Sequence, residues 1–394
     1  MDFNKRLLLL ILILVISCKT ERNNIVLPKK TDTYQAVIDT FYTKNPTAIG
    51  IMVHIESPKN GISWSGSVGY SDAEKNTELS PTQPALIASN IKTYISATIL
   101  RLQEQGKLSI EDSISKYLSQ KTGALFISDG YDLDHIKIKH LLSHTSGIED
   151  YANKAYLDWV DQHQKHRWTR DEQLQLTIKV GDPLGKPGAM FNYADANYLL
   201  CTEIIEQITG KNFYTSIREL LKYSALNFTN TWFPTLEEKP INTLEMVHQY
   251  WAKRNWDSHN LDISWDLYGG GGIATNTKEL AQFTSHLFNG NIIENKAILK
   301  LLFTKIKTTD GKDSNYCLGL SEGEISGLKS YGHEGFWGTT VAYIPQLDTS
   351  ISVFILDRDQ KHLKKIILET LVKELSKKHL SVANVSLLKH LKIE

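Results

Sequence analysis

Strand-forming runs gather at the two ends of this chain, and a long stretch of helical pattern separates them. Near the start, Ile49 to Glu56 and Ile62 to Tyr70 are rich in β-branched and aromatic residues and flank Ser57-Pro58-Lys59-Asn60-Gly61, a hairpin signal. Near the end, Gly327 to His333, Thr339 to Ile344 and Ser350 to Leu356 read as three more strands, followed by a helix from about His362 to Lys377. Residues 108 to 260 are mostly helical pattern and polar loop. A helix is expected over Tyr34 to Tyr42 and another over Lys278 to Phe288. Strands so far apart can each bury one face only if they share a sheet. The expected fold class is therefore α+β: an antiparallel sheet built from both chain ends and flanked by helices, with an inserted, mostly helical subdomain. The expected boundaries are 34–115 and 262–378 for the α/β part, 116–261 for the helical insert and 379–394 for a C-terminal tail.

Charge and composition exclude several classes of function. Lys plus Arg equals Asp plus Glu at 44 each, with no basic block, so the chain carries no electrostatic footprint for nucleic acid. Hydrophobic residues at 41% and charged residues at 22% belong to a globular protein. Cys18, Cys201 and Cys317 are too few for a disulfide framework, and Cys201 falls on the apolar side of its helix.

Chemistry enters at Ser89. The pattern Ser-x-x-Lys begins at Ser89, Ser113, Ser326 and Ser386, so the pattern alone selects nothing. Context selects Ser89: it follows the apolar Ala85-Leu86-Ile87-Ala88 and opens a helix whose apolar positions Ile91, Ile95, Ile99 and Leu102 share one face, up to a stop at Gly106. Three residues on, Lys92 falls on the same face as Ser89. A serine becomes a nucleophile only beside a base, and a lysine desolvated by apolar walls can lose enough basicity to act as one. A solvated lysine after a serine N-cap would give the same spacing.

Two further segments stand out. Pro187-Gly188-Ala189-Met190-Phe191-Asn192-Tyr193-Ala194-Asp195 runs into a helix at Ala196 that ends before Gly210, and Tyr331-Gly332-His333-Glu334-Gly335-Phe336-Trp337-Gly338 is a glycine-dense strand end that a ligand can approach closely. With Ser89-x-x-Lys92, Tyr193-x-Asp195 and His333-x-Gly335 in that order, the chain resembles the serine β-lactamase and penicillin-binding family, in the branch of class C β-lactamases, D,D-peptidases and related esterases, over roughly residues 45 to 375. Gly106 to Asp112, His140 to Ile148 and Gly269 to Thr275 also look familiar.

That resemblance implies a serine hydrolase without a cofactor. Ser89 would be the acylated nucleophile, Lys92 its general-base partner and Tyr193 the proton shuttle, with the N–H groups of Ser89 and Phe336 as oxyanion hole. Asp195, His333, Gly335 and Phe336 would meet a small-molecule or peptide substrate. A phenol beside an amine is expected to give a base that works near neutral pH. Two departures bear on substrate. Asp195 stands where β-lactamases usually carry Asn, so an acceptor replaces an amide that both donates and accepts. His333 replaces a lysine, and a neutral imidazole holds a substrate carboxylate far more weakly than an ammonium does. An ester or D-amino-acid peptide is thus expected ahead of a β-lactam, and a silent binding or sensor protein is the alternative.

Other chemistries lack their signatures. Gly269 to Gly272 is not followed by Gly-Lys-Ser/Thr, Gly-x-Ser-x-Gly is absent, and no His-Glu-x-x-His supports a metal site. The aromatic segment Tyr250, Trp251, Trp256, Trp265 and Tyr268 fits either the cleft or the core.

The N-terminus reads as an address. Lys5 and Arg6 precede an apolar run from Leu7 to Ile16, too short to span a bilayer, that ends in Val15-Ile16-Ser17-Cys18. This resembles the lipobox of bacterial lipoproteins, which implies a signal peptide over 1–17, lipidation of Cys18 and a polar tether over 18–33. The expected place is a membrane surface of the cell envelope, held by a lipid anchor, with no nucleic acid and no obligate protein partner.

Overall fold

A computed structural model describes residues 32–312 and 314–390, so Cys18 and the expected signal and tether lie outside the described residues. Helix α1 (Asp32–Lys44) leads into strands β1 (Gly50–Ser57) and β2 (Ile62–Gly69), joined by a short turn at Pro58 and Gly61. Helix α2 (Ile91–Glu104) follows, then the helical middle, in which helix α3 (Asp195–Thr209) is the longest. Helix α4 (Thr277–Phe288) returns the chain to the sheet, completed by β3 (Ser321–Ile325), β4 (Leu328–Gly335), β5 (Thr339–Ile344) and β6 (Thr349–Ile355) before helix α5 (Leu363–His390). The sheet is antiparallel throughout, in the order β2-β1-β6-β5-β4-β3. Both chain ends thus build one sheet, as their strand patterns require. Helix α5 runs on to His390, through positions expected to form a tail.

Alternation along the central strands divides the core in two. Ile51, Val53 and Ile55 of β1 face the same side as Ile351, Val353 and Ile355 of β6, their register partners, and pack under Tyr34 and Ile38 of α1 and Ile367 and Leu371 of α5. Met52 and Phe354 point the other way, into the larger core shared with Leu280 and Phe283 of α4 and with the helical middle. Each fully buried Leu, Ile or Phe is worth about 1.5–3 kcal/mol over its exposed state, so both faces hold the sheet firmly.

A separate two-stranded seam beside the sheet brings the site together. The two-residue strand Ala85–Leu86 pairs with Ala274–Thr275, and Ile87 N–H donates to Ile273 O at 3.1 Å. That seam carries the turn containing Ser89 alongside the loop Gly269–Gly272. At the other side, Thr339 Oγ1 donates to Ile87 O at 3.1 Å and Asn90 Nδ2 donates to Thr339 Oγ1 at 3.0 Å, which seats the β4–β5 turn on the same residues.

Candidate active site

Ser89 lies in a single 3₁₀ turn, Ala88–Asn90, directly before α2, with Ala88 in the left-handed region at φ 45°. A non-glycine residue held there costs on the order of 1–3 kcal/mol, strain that surrounding contacts must hold in place. Gly271 passes close beside it: a Cβ at Gly271 would lie 2.9 Å from Ala88 Cα, so only a glycine lets the loop come this near. The result is a hydroxyl with fixed neighbours. Ser89 Oγ donates to Gly270 O at 3.3 Å and accepts from Lys92 Nζ at 3.1 Å.

Lys92 has no solvent exposure. Its ammonium donates to Ser89 Oγ and to Gly270 O, each at 3.1 Å, and forms an ion pair with Asp195 Oδ1 at 2.7 Å. Burial works against the ammonium, but Asp195 and Tyr193 together outweigh it and raise the pKa of Lys92. Lys92 is a buried cation with its counterion beside it, and not the amine of lowered basicity that desolvation alone predicts. Two more carboxyls stand behind Asp195. Burial and then the nearby Asp195 charge raise the pKa of Asp150 and Asp266, which favours their neutral forms and leaves Asp195 as the anion opposite Lys92.

Tyr193 enters from the loop before α3. Its hydroxyl lies near enough to Ser89 and Lys92 that both side chains favour its ionised form, and Lys92 Nζ sits 5.1 Å from the ring centroid. Burial lifts its pKa to about 12 although Lys92 pulls the other way, so the phenol rests protonated at neutral pH. The ring of His333 lies 6.4 Å away. His333 Nδ1 donates to Glu334 O at 2.7 Å, so its Nε2 accepts from Tyr316 OH at 3.0 Å. Burial, then the Lys92 charge, lowers its pKa to about 3. Beside these rings opens a groove of about 500 Å³, lined among others by Phe191, Tyr193, Tyr316, His333 and Glu334.

Residues 50–366 match the family model described as Beta-lactamase. The chain belongs to the β-lactamase family. Among curated relatives it is 31% identical to protein flp of Staphylococcus aureus over 213 residues, 54% of this chain and 37% of that one, and 25% identical to a putative penicillin-binding protein, PbpX, of Bacillus subtilis over 254 residues, 64% and 57% of the two chains. It thus spans little more than a third of the length of the staphylococcal protein. Similar solved structures include a D-stereospecific amidohydrolase from Streptomyces, with a TM-score of 0.69 at 21% identity over 84% of this chain and 97% of that one. A D-amino acid amidase from Ochrobactrum anthropi gives 0.70 at 18% identity over 87% and 98%. At those identities the likeness concerns the fold.

Within this β-lactamase-family fold, Ser89, Lys92, Tyr193, Asp195 and His333 converge, and the tip of β4 with Gly335 and Phe336 packs onto the Ser89 turn. A Cβ at Gly335 would meet Ile87 O and Thr339 Oγ1 at 2.2 Å each, which is why glycine stands there. The Asp195 carboxylate, expected to meet a substrate, forms an ion pair with Lys92. The aromatic segment divides: Trp256 and Trp265 are core, while half-buried Trp251 packs edge-on to Phe336 at 5.4 Å. Cys201 and Cys317 are buried free thiols. Sequence reasoning missed Tyr316, Gly270, Asp150 and Asp266. Of these only Gly270, in the four-glycine run, carries a local signal.

Proposed function

We propose that this protein is a serine hydrolase that cleaves an ester or amide through an acyl-enzyme on Ser89. One observation carries the reading: a serine hydroxyl 3.1 Å from a wholly buried lysine, whose nitrogen also lies 5.1 Å from the ring centroid of a tyrosine. A plain N-cap serine with a solvated lysine has neither the burial nor the phenol.

The charge states assign the roles. Lys92, kept as ammonium by Asp195, stabilises negative charge on the Ser89 oxygen and on the Tyr193 oxygen alike. As Ser89 attacks the substrate carbonyl, its proton passes to the Tyr193 oxygen while the phenol's own proton passes to the leaving group, so Tyr193 starts and ends acylation protonated. The backbone N–H groups of Ser89 and Phe336 take the carbonyl oxygen as it becomes negative, a contribution typically worth about 10²–10³ in rate per donor. Lys92 acts in this scheme as a fixed cation, which replaces the role of free base.

The groove disfavours a substrate with a carboxylate on its leaving side. His333 is neutral and saturated by Tyr316 and Glu334, and Lys92 is spent on Asp195. Esters and D-amino-acid amides or peptides without a carboxylate there fit better than β-lactams, and the fold neighbours named for D-amino-acid hydrolysis agree with that order. At its N-terminus, Cys18 would anchor the enzyme to a membrane surface of the cell envelope. Wild type and Ser89→Ala are to be screened against a nitrophenyl ester, D-amino-acid amides and a β-lactam. Turnover of the first two that vanishes in Ser89→Ala is expected, whereas ligand binding without turnover by the wild type would favour a sensor.

A further inference from the structure

One residue holds the backbone on both sides of Tyr193. The N–H of Asn192 donates to His144 O at 2.9 Å, and the N–H of Ala194 donates to His144 Nδ1 at 3.2 Å. Between these two bonds the imidazole lies against the phenol, ring centroids 4.1 Å apart and planes tilted by 30°. Tyr316 closes the other side of the imidazole edge-on at 4.8 Å.

The surrounding bonds also fix the imidazole's proton. Ser146 Oγ accepts from Ile148 N–H at 3.1 Å, so its own proton goes to Asn197 Oδ1 at 2.6 Å. That bond turns the Asn197 NH₂ toward His144 Nδ1, at 3.2 Å. Nδ1 therefore faces two N–H donors and must be the acceptor, which puts the ring proton on Nε2. Nε2 is buried and has no hydrogen-bond partner among the described residues. A second proton could only go to Nδ1, against both donors, so the ring remains neutral and adds no charge beside Lys92. The backbone is committed as well, since His144 sits at φ 56°, in the left-handed region that non-glycine residues seldom adopt.

We infer that His144 is a positioning residue for Tyr193, clamping the peptide units before and after it and supporting its ring so that the phenol stays beside Ser89 and Lys92. The inference rests on the role proposed above for Tyr193. An oxygen displaced by about 1 Å can lose on the order of 10² in rate, while binding in the groove need not change.

The test uses two variants of the full chain and one measurement on the wild type. His144→Phe keeps the stacked ring but leaves the Ala194 N–H unpaired; His144→Asn tolerates the left-handed backbone and offers an amide oxygen to that N–H. With rates expressed per Ser89 titrated by a fluorophosphonate, His144→Phe is expected to lower kcat for a nitrophenyl ester about 10²-fold with KM within about twofold, and His144→Asn to recover about tenfold of that loss. A folded His144→Phe enzyme with kcat within twofold of wild type overturns the inference, and so does a folded His144→Asn enzyme as slow as the Phe variant. Should the Phe variant not fold, nitrogen NMR of histidine-labelled wild type decides: an unprotonated Nδ1 from pH 5 to 8 is expected, and a His144 signal that titrates in that range overturns the clamp. Turnover surviving in Ser89→Ala would instead sink the proposed function and leave the geometry of His144 untouched.

Discussion

Lys92 and Asp195 form an ion pair 2.7 Å long at the floor of the site, with the lysine fully buried. The pair determines which groups can exchange protons. It keeps Lys92 charged, so in the proposed mechanism proton traffic between nucleophile and leaving group falls to Tyr193.

Asp195→Asn should lower the pKa of Lys92, since burial then acts with less opposition. The scheme needs the ammonium, so activity falls as pH rises through that pKa, and the alkaline limb of kcat/KM in the variant should move down by about one pH unit or more. An alkaline limb that stays where it is in wild type would show that Asp195 does not set the charge of Lys92.

His333 links stability to pH. It titrates at about 3 in the fold and near 6.5 when exposed, so the unfolded chain binds more protons between those values. Its contribution is complete above pH 6.5 and is lost progressively as pH falls toward 3. Urea unfolding at pH 6 and pH 5 should show a pH slope of stability smaller by about 1 kcal/mol per pH unit in His333→Gln. Equal slopes in the two proteins would mean that the imidazole is already charged in the fold.

Substrate preference should follow charge at the same position. His333→Lys places an ammonium in the groove and should raise acylation by a carboxylate-bearing β-lactam at least about tenfold relative to a neutral nitrophenyl ester, the equivalent of about 1.4 kcal/mol of differential attraction. A ratio that does not move would place the leaving group elsewhere.

Gly335→Ala tests the contact that seats the β4 tip on the Ser89 turn. The added methyl would lie 2.2 Å from Ile87 O and from Thr339 Oγ1, so the strand end must retreat and take the Phe336 N–H with it. A loss of about 10²–10³ in kcat/KM is expected for a protein that still folds, the scale of one lost oxyanion donor. A loss below fivefold would remove Phe336 from the oxyanion hole.

The periodic elements were legible in the sequence because their burial is one-sided. The hairpin, α2, α3 and the strands of the C-terminal third carry their apolar spacing and glycine stops in the sequence itself. Strand β3 was not legible: Ser321-Glu322-Gly323-Glu324-Ile325 is mostly exposed and polar, and it is a strand because β4 offers it a ladder. In the site, Ser89, Lys92 and Tyr193 could be read because each belongs to a spaced motif. Tyr316 could not, since a lone tyrosine in a polar loop has no signature until the fold brings it to His333. The charge of Lys92 was misread for the same reason: the carboxylate that decides it arrives from the start of another helix.

The most direct test of the central claim is to trap the acyl-enzyme and locate the adduct. After reaction with a fluorophosphonate or a slowly hydrolysed nitrophenyl ester, the peptide containing Ser89 should carry the full mass of one adduct, and Ser89→Ala should carry none. The chain holds an internal control, because Ser65 Oγ lies 2.7 Å from His54 Nδ1, whose Nε2 lies 3.0 Å from Glu56. An adduct on Ser65, or labelling that persists in Ser89→Ala, would contradict the account.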